Sequence, residues 1–242
     1  MEYGLQLYSV RDITKDDLAG ALKKVAALGY KAVEFAGFFG HSAEEVKAML
    51  EENNLIVSGT HSGFDDLEKD FEGTVKYHKA IGNTNYIVPG APWKTKAELD
   101  ETIEKMNRFQ PLLAAEGITL AYHNHDGEFK PNADGLIPHE EMEKRTSIDF
   151  EIDTYWAYAA GKDPVELITR LKDRVKVIHL KDGLENGEGF ALGEGTAPVA
   201  EVRRKAMELG MYIVVESETL QPDGISEVGR CMEYLKKLDS EE

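Results

Sequence analysis

The chain has 242 residues, of which 42% are hydrophobic and 30% are charged, so it is long and apolar enough to bury a sizeable core. Its formal net charge of -17 disfavours contact with nucleic-acid backbones and anionic membranes. The single cysteine, Cys231, excludes an internal disulfide and a cysteine-rich zinc site, and no apolar stretch approaches the roughly 20 residues that span a bilayer. The N-terminus enters a strand pattern without a basic, cleavable leader, so we expect a soluble, cytoplasmic protein that binds neither membrane nor nucleic acid.

Short apolar runs alternate with helical patterns along the whole chain. The predicted strands cover residues 4–10, 32–35, 55–60, 85–88, 118–122, 148–152, 175–180 and 212–215. Between them, leucines and valines at helical spacing predict a helix over residues 18–28, and Ser42 and Thr95, each followed three residues later by glutamate, predict capped helix starts. Residues 126–146 are polar, with one or two helical turns expected near 139–144, and the glycine-rich residues 182–196 indicate a long mobile loop.

Glycine recurs just before a predicted strand, at positions 29, 82, 117 and 210. A glycine there adopts the left-handed conformation that ends a helix and turns the chain back under the sheet. Eight strands alternating with helices predict an α/β fold, a closed (βα)8 TIM barrel formed by one domain over residues 1–242. An open doubly wound sheet is the alternative, but no Gly-x-Gly-x-x-Gly turn follows the first strand.

Imidazole and acidic side chains stand at the ends of the last four predicted barrel strands. The fifth strand leads into His123 and His125, the sixth ends at Asp153, the seventh carries His179, and the eighth ends at Glu216. One histidine at a strand end is more often structural, but the carboxyl ends of parallel strands meet at one mouth of a barrel, so the whole set is expected to meet there. Imidazole together with carboxylate suits a divalent metal ion, and burying this much negative charge without a cation would cost several kcal/mol.

The order of these motifs carries a family resemblance. The segments are Asp153-Thr-Tyr-Trp156, Ala160-Gly-Lys-Asp-Pro164, His179-Leu-Lys-Asp182, Gly193-Glu-Gly195 and Glu216. Over nearly the whole chain this set resembles the sugar isomerase/epimerase superfamily with the xylose-isomerase-like TIM barrel, and it is closest to members that act on inosose or 3-keto sugars. The resemblance implies a small carbohydrate substrate and one divalent metal, Mn2+ first and Mg2+, Co2+ or Zn2+ as alternatives. Asp153, His179 and Glu216 match three of the metal ligands.

The fifth strand departs from the family pattern. Many members carry glutamate in a Glu-Asn-His context, whereas this chain has His123-Asn-His125. Either His123 is the fourth metal ligand, or Glu128 turns back to supply it. Ketose 3-epimerases also carry a histidine shortly after the sixth-strand aspartate, where Trp156 is the nearest residue here.

The chemistry that follows from the resemblance is removal of a proton beside a carbonyl, with the metal stabilising the enediolate. His125 or Glu216 is the candidate base. Lys181 either donates to the developing oxyanion or forms a salt bridge with Asp182 or Glu151. We predict an isomerase or epimerase. The alternative is a lyase or dehydratase acting on a keto sugar, keto-inositol or 3-keto glycoside, and an endonuclease of the AP type is disfavoured by the acidic charge.

Four further residues are predicted to contact the substrate. Glu34 and His61 end the second and third strands, and Trp93 and Trp156 are loop aromatics that could stack on a sugar ring. The remaining histidines, at positions 41, 78 and 139, are expected at the surface. A catalytically idle binding subunit stays open as a third class, which bound metal would argue against, and a homo-oligomer is neither indicated nor excluded.

Overall fold

Eight parallel strands close into a barrel in the computed structural model, which describes residues 2–241. The barrel strands are β1 (Gly4–Gln6), β2 (Ala32–Phe35), β3 (Ile56–His61), β4 (Asn85–Val88), β5 (Thr119–His123), β6 (Asp149–Asp153), β7 (Val177–Leu180) and β10 (Tyr212–Val215). Two short strands between β7 and β10, β8 (Asp182–Gly183) and β9 (Gly189–Phe190), pair as an antiparallel hairpin. β1 closes the barrel against both β2 and β10, which confirms the predicted (βα)8 fold.

Helices connect the strands and surround the barrel. They are α1 (Arg11–Thr14), α2 (Leu18–Leu28), α3 (Ala43–Asn53), α4 (Phe64–Lys69), α5 (Phe71–Ala80), α6 (Lys96–Ala115), α7 (Pro138–Arg145), α8 (Thr154–Ala159), α9 (Pro164–Arg170), α10 (Val199–Glu208) and α11 (Gly224–Ser240). Within residues 2–241 none of these helices has the length and apolarity that crossing a bilayer requires.

Local sequence explains where the helices begin and end. At the start of α3 the Ser42 hydroxyl accepts from the Glu45 amide at 3.2 Å, and the Glu45 carboxylate accepts from the Ser42 amide at 2.7 Å. This confirms the predicted capping box, and the one at Thr95 is confirmed in the same way. The four glycines before strands have φ values of 110°, 78°, 77° and 71°, in the left-handed region, as predicted.

Strand register places the polar strand ends in two successive layers of the barrel. Asp153 of β6 pairs with His179 of β7, and His123 of β5 pairs with Glu151 of β6. β6 and β7 are buried on both faces, as expected where helices cover a parallel sheet. These polar side chains are therefore enclosed by the barrel, at its carboxyl-terminal mouth.

The first strand is shorter than predicted. β1 ends at Gln6, and residues Leu7–Val10 form a 3-10 turn. The Gln6 side-chain oxygen accepts a hydrogen bond from the Tyr8 amide at 3.0 Å, which turns the chain out of the sheet. A side-chain bond of this kind competes with the strand ladder, and apolar alternation does not reveal it.

The glycine-rich segment of residues 182–196 is ordered, contrary to the prediction of a mobile loop. The Asp182 carboxylate accepts hydrogen bonds from the backbone amides of Gly183, Gly193, Gly195 and Ala197, at 2.8 to 3.1 Å. One buried side chain thus gathers both ends of the segment around the β8–β9 hairpin. Substituting a side chain at Gly195 would place a Cβ 2.3 Å from the Asp182 carboxylate, so the glycine is required by this close approach.

Two histidines predicted at the surface are buried, so that prediction is wrong for them. His78 is 3% exposed and its ring lies 3.2 Å from the Thr60 hydroxyl. His139 is 1% exposed and its ring stacks between Phe129 and Phe150, at 4.6 and 4.7 Å. His78 and His139 lie on the inner faces of α5 and α7. The apolar residues of these helices are too few to show from sequence which face is buried.

Candidate metal centre

Four buried side chains from adjacent strands converge at the carboxyl-terminal mouth of the barrel. They are His123, Asp153, His179 and Glu216, and their potential ligand atoms all lie within 4.8 Å of one another. His123 Nε2 is 3.7 Å from Asp153 Oδ2, and His179 Nδ1 is 3.3 Å from Glu216 Oε2. None of these four atoms has a well-formed hydrogen bond within residues 2–241. Leaving a buried polar atom unpaired costs about 1–3 kcal/mol, so the donor set fits a shared divalent cation.

The protonation of His123 and Glu216 suits a metal. Burial lowers the pKa of His123 well below its ordinary value, and the neighbouring His179 lowers it further, so the imidazole is neutral and offers a lone pair. Burial alone would raise the pKa of Glu216, but the charges of Lys181 and His179 hold it well below the ordinary value. A metal ion binds the neutral imidazole and the ionised carboxylate.

A second polar layer lies beneath this cluster. The Oε1 atom of Glu34 accepts from Gln6 Nε2 at 2.6 Å, and it lies 2.7 Å from His179 Nε2 and 3.1 Å from His61 Nε2. Burial opposes ionisation of Glu34, but the charges of His179 and His61 keep its pKa well below the ordinary value. An ionised carboxylate only accepts hydrogen bonds, so His179 donates through Nε2 and turns Nδ1 toward Glu216.

Glu151 completes the lower layer. Its Oε2 atom lies 2.8 Å from His61 Nε2 and 3.3 Å from His179 Nε2. Burial and the nearby charge of Glu34 raise the pKa of Glu151 to about 8. Burial would lower the pKa of His61, but the charge of Glu34 and the contact with Glu151 raise it to about 9. The layer is thus close to neutral by itself, and His61 and Glu151 are paired within it. Together with His123 and His179 they form a second group whose potential ligand atoms all lie within 4.8 Å of one another.

The mouth above the cluster is a cavity of about 340 Å3. It is lined by Tyr8, Ala36, His61, Pro89, His123, His125, Glu216 and Glu218. The His125 side chain is 47% exposed, and its ring centre lies 5.0 Å from that of His123. The Glu128 carboxylate, 3.9 Å from Nδ1, raises the pKa of His125. Both histidines line the cavity, but His125 is exposed to a molecule bound there whereas His123 is buried.

Lys181 forms neither of the salt bridges considered from sequence. Its ammonium group lies 2.5 Å from Glu218 Oε2 and 3.5 Å from Glu216 Oε2, so the partner is Glu218 and not Asp182 or Glu151. Burial would lower the pKa of Lys181, but the charge of Glu216 and its other acidic neighbours raise it, so the group stays charged. Glu218 is two residues after Glu216, the spacing at which side chains of an extended segment point to the same side, and this spacing could have identified it as a site residue.

Glu128 and the two tryptophans predicted in the site belong neither to the cluster nor to the cavity lining. The same holds for Glu34 and Lys181, which contact the cluster from its sides. Glu128 accepts from the Tyr122 hydroxyl at 3.0 Å and from the His125 amide at 3.1 Å, and it is not among the clustered potential metal ligands. Trp93 packs so closely on Gly127 that a Cβ there would lie 2.7 Å from its ring, and Trp156 packs 4.7 Å from the Lys181 ammonium.

The aromatic residue that lines the mouth cavity is Tyr8, whose side chain the sequence did not single out. It is 44% exposed, and the Arg11 guanidinium lies 4.3 Å from its ring centre. Its position directly after β1, at the carboxyl end of a barrel strand, is the feature that could have identified it.

A closed parallel barrel with histidines and carboxylates buried at its carboxyl-terminal mouth has the architecture of an α/β-barrel enzyme. Residues 22–238 match the model of the xylose isomerase-like TIM barrel family. The chain belongs to that family.

Similar proteins are known by sequence and by structure. An inosose dehydratase of Mesomycoplasma hyopneumoniae (strain 7448) is 29% identical, over 91% of this chain and 88% of that protein. A sugar phosphate isomerase/epimerase from Parabacteroides distasonis is 26% identical, with a TM-score of 0.83 over 98% of both chains. The D-psicose 3-epimerase from Clostridium cellulolyticum H10 shares the fold at 14% identity, with a TM-score of 0.73 over 98% of this chain and 99% of that one.

Proposed function

We propose that this protein is a divalent-metal-dependent lyase that dehydrates a keto sugar or keto-inositol, beginning with removal of the proton beside the carbonyl. The observation that carries the proposal is the convergence at the barrel mouth of four buried nitrogen and oxygen atoms without a well-formed hydrogen bond. The similarity to an inosose dehydratase over most of both chains supports elimination as the outcome.

His123, Asp153, His179 and Glu216 would hold the ion, through the four atoms that have no well-formed hydrogen bond. A mixed nitrogen and oxygen donor set suits Mn2+, with other first-row ions or Mg2+ as alternatives. A bound divalent cation would polarise the substrate carbonyl and stabilise the negative charge that develops on its oxygen. Glu34 would orient His179 for this role, as hydrogen-bonded carboxylates commonly do for metal-binding histidines.

His125 is the proposed base, because its imidazole is exposed at the mouth and its ring centre lies 5.0 Å from that of the buried His123. It would take the proton from the carbon beside the carbonyl. The Lys181 ammonium, 3.5 Å from Glu216, would donate a hydrogen bond to the oxygen on which charge develops. In this role Lys181 stays protonated throughout.

Elimination also needs an acid for the departing hydroxyl group. His61 lines the mouth cavity, and a pKa of about 9 keeps it protonated near neutral pH. It would give its proton to the hydroxyl as the carbon–oxygen bond breaks, so that water leaves and a carbon–carbon double bond remains. The net change is loss of one water, with no oxidant or reductant required.

Isomerisation or epimerisation is the second candidate. It is supported by the similarity to the sugar phosphate isomerase/epimerase from Parabacteroides distasonis, which is 26% identical. Both reactions share the first proton transfer and differ in whether the proton returns to carbon. Epimerisation at one carbon further requires a proton donor on the opposite face. Ketose 3-epimerases carry a histidine shortly after the sixth-strand aspartate, where this chain has Trp156, which favours elimination.

The test is product analysis by NMR in deuterated water, using metal-restored protein and a panel of ketoses, inososes and 3-keto glycosides. We expect deuterium exchange beside the carbonyl of one class, together with an unsaturated product. An isomer or epimer without loss of water would favour the second candidate. Absence of exchange on the whole panel, with metal bound, would refute proton abstraction.

Variants separate ligand from base. His179→Ala and His123→Ala should lose bound metal while the far-ultraviolet circular dichroism stays native. His125→Ala should keep the metal and lose deuterium exchange, and Glu128→Gln should keep the metal. Loss of metal from the His125 variant, or exchange at the wild-type rate, would contradict its assignment as the base.

A further inference from the structure

Glu128 is a buried carboxylate whose role the metal centre does not explain. It is 2% exposed, lies outside the clustered potential metal ligands and does not line the mouth cavity. A buried carboxylate is normally paired with an opposite charge or bound to a metal, because its desolvation is costly. Within residues 2–241 Glu128 forms no ion pair with a lysine or an arginine, and the basic side chain beside it is that of His125, with Nδ1 3.9 Å from Oε1.

The main chain at His125 is anchored on both sides. The preceding residue, Asn124, extends the β5–β6 pairing with its side chain: Nδ2 donates to the Asp153 carbonyl at 3.2 Å, and Oδ1 accepts from the Asp153 amide at 3.1 Å. The His125 amide donates to Glu128 Oε2 at 3.1 Å, while Glu128 Oε1 accepts from the hydroxyl of Tyr122, a β5 residue, at 3.0 Å. The backbone of His125 is thus fixed to the barrel, whereas its ring is exposed at the mouth.

The position of Glu128 bears on which ring nitrogen of His125 can act as a base. A neutral imidazole carries its proton on one nitrogen and a lone pair on the other, and the partner of one nitrogen sets the state of both. An ionised carboxylate only accepts hydrogen bonds, so Glu128 favours the proton on Nδ1 and the lone pair on Nε2. The 3.9 Å separation exceeds a hydrogen bond, but catalytic hydrogen bonds are often long in the absence of substrate and shorten when it binds.

We propose that Glu128 is a positioning residue for the base His125: it holds the ring proton on Nδ1 and leaves the lone pair of Nε2 for the substrate. This rests on the proposed function, because the proton that Nε2 accepts is the one beside the carbonyl. As the N–H bond forms, the carbon–hydrogen bond breaks and its electron pair passes into the enediolate. The imidazolium that results is stabilised by the adjacent carboxylate, and it returns the proton to water after the product leaves.

The test is the nitrogen NMR spectrum of the histidine side chains, which distinguishes the two neutral tautomers. It is recorded on isotope-labelled protein restored with diamagnetic Mg2+, at a pH where His125 is neutral, and the His125 signals are assigned by their loss in His125→Ala. We expect the Nδ1–H tautomer in the wild type. Glu128→Gln keeps an oxygen that can accept from the His125 amide, but its amino group can donate to Nδ1, so the tautomer should shift toward Nε2–H. An Nε2–H tautomer in the wild type would overturn the proposal whether or not the variant folds, and so would an unchanged tautomer in Glu128→Gln.

Tyr122→Phe is the matched control. It removes the other hydrogen bond of Glu128 Oε1 but keeps the carboxylate and its contacts with His125. The tautomer should therefore stay as in the wild type. A shift as large as that in Glu128→Gln would show that the packing of the segment, and not the charge of Glu128, sets the ring, and the proposal would be wrong.

Kinetics with the substrate class that exchanges deuterium provide the second measurement. Glu128→Gln should lower kcat for exchange by at least about tenfold and leave KM within about twofold of the wild type, because a positioned base contributes about 10²–10⁴-fold to the rate. A change confined to KM would contradict the positioning role. A tautomer that depends on Glu128, in a protein that exchanges no deuterium with any substrate of the panel, would refute only the proposed function.

Discussion

Replacing Glu34 by glutamine should weaken metal binding although Glu34 itself is not a ligand. Its carboxylate is fully buried, and the His179 Nε2 atom is 2.7 Å away. The negative charge draws the imidazole proton to Nε2 and leaves Nδ1 facing Glu216 and the other proposed ligands. Glutamine keeps the shape and one acceptor oxygen but removes the charge, so the ring orientation loses its main restraint.

The expected size of this effect follows from the contact geometry. Loss of a partner that orients a metal ligand typically weakens metal affinity by about 10- to 100-fold. Since the glutamine oxygen can still accept from Nε2, we expect about tenfold, which corresponds to about 1.4 kcal/mol. Glu151→Gln is the matched control, because Glu151 lies farther from His179 Nε2, at 3.3 Å, and its pKa of about 8 makes it largely uncharged near neutral pH.

The assay is titration of the chelator-treated protein with Mn2+ by isothermal calorimetry, at one pH for all variants. Glu34→Gln should bind about tenfold more weakly than the wild type, and Glu151→Gln within about threefold of it. Wild-type affinity in Glu34→Gln, with a native circular dichroism spectrum, would refute the orienting role. A larger loss of affinity in Glu151→Gln than in Glu34→Gln would show that Glu151, and not Glu34, orients His179.

Three other outcomes are expected. A neutral keto sugar should have a higher kcat/KM than its phosphate ester, because the mouth is lined by Glu216 and Glu218 and Lys181 is already paired; a preference for the phosphate would show that this charge balance is misjudged. Burial would raise the pKa of Glu143, but hydrogen bonds from His139 and Arg170 lower it to about 2. The ionised Glu143 therefore stabilises the folded protein at pH values above the unfolded pKa, and this contribution to the free energy of unfolding is lost as pH falls from about 4.5 to 2. Glu143→Gln should therefore destabilise the protein by about 1–2 kcal/mol at pH 7 and much less near pH 2, measured by urea unfolding, since Arg170 is exposed and screened. Asp182→Asn should leave backbone amides of the β8–β9 segment unpaired and speed its cleavage in limited proteolysis, whereas wild-type resistance would mean that the hairpin orders itself.

The barrel and the polar strand ends were determined by the sequence itself. Alternation of apolar runs with capped helical patterns specifies β/α units, and helix-ending glycines repeat at the same place in several units. Since a closed parallel barrel gathers the carboxyl ends of its strands, residues as far apart as His123 and Glu216 could be expected at one site from order alone. These patterns are local in the sequence, and reading them requires no knowledge of how the strands tilt in the barrel.

Only the tertiary structure decided which atoms face each other. Glu34 and His179 are 145 positions apart, and their contact depends on barrel closure and side-chain rotamers. The same is true of the choice between His123 and Glu128, because Glu128 is held by a tyrosine hydroxyl and a backbone amide instead of the cluster. The pairing of Lys181 with Glu218 likewise depends on how the segments after β7 and β10 meet. Periodicity in a sequence specifies the face of a strand or helix, whereas these contacts depend on distances between elements that periodicity does not encode.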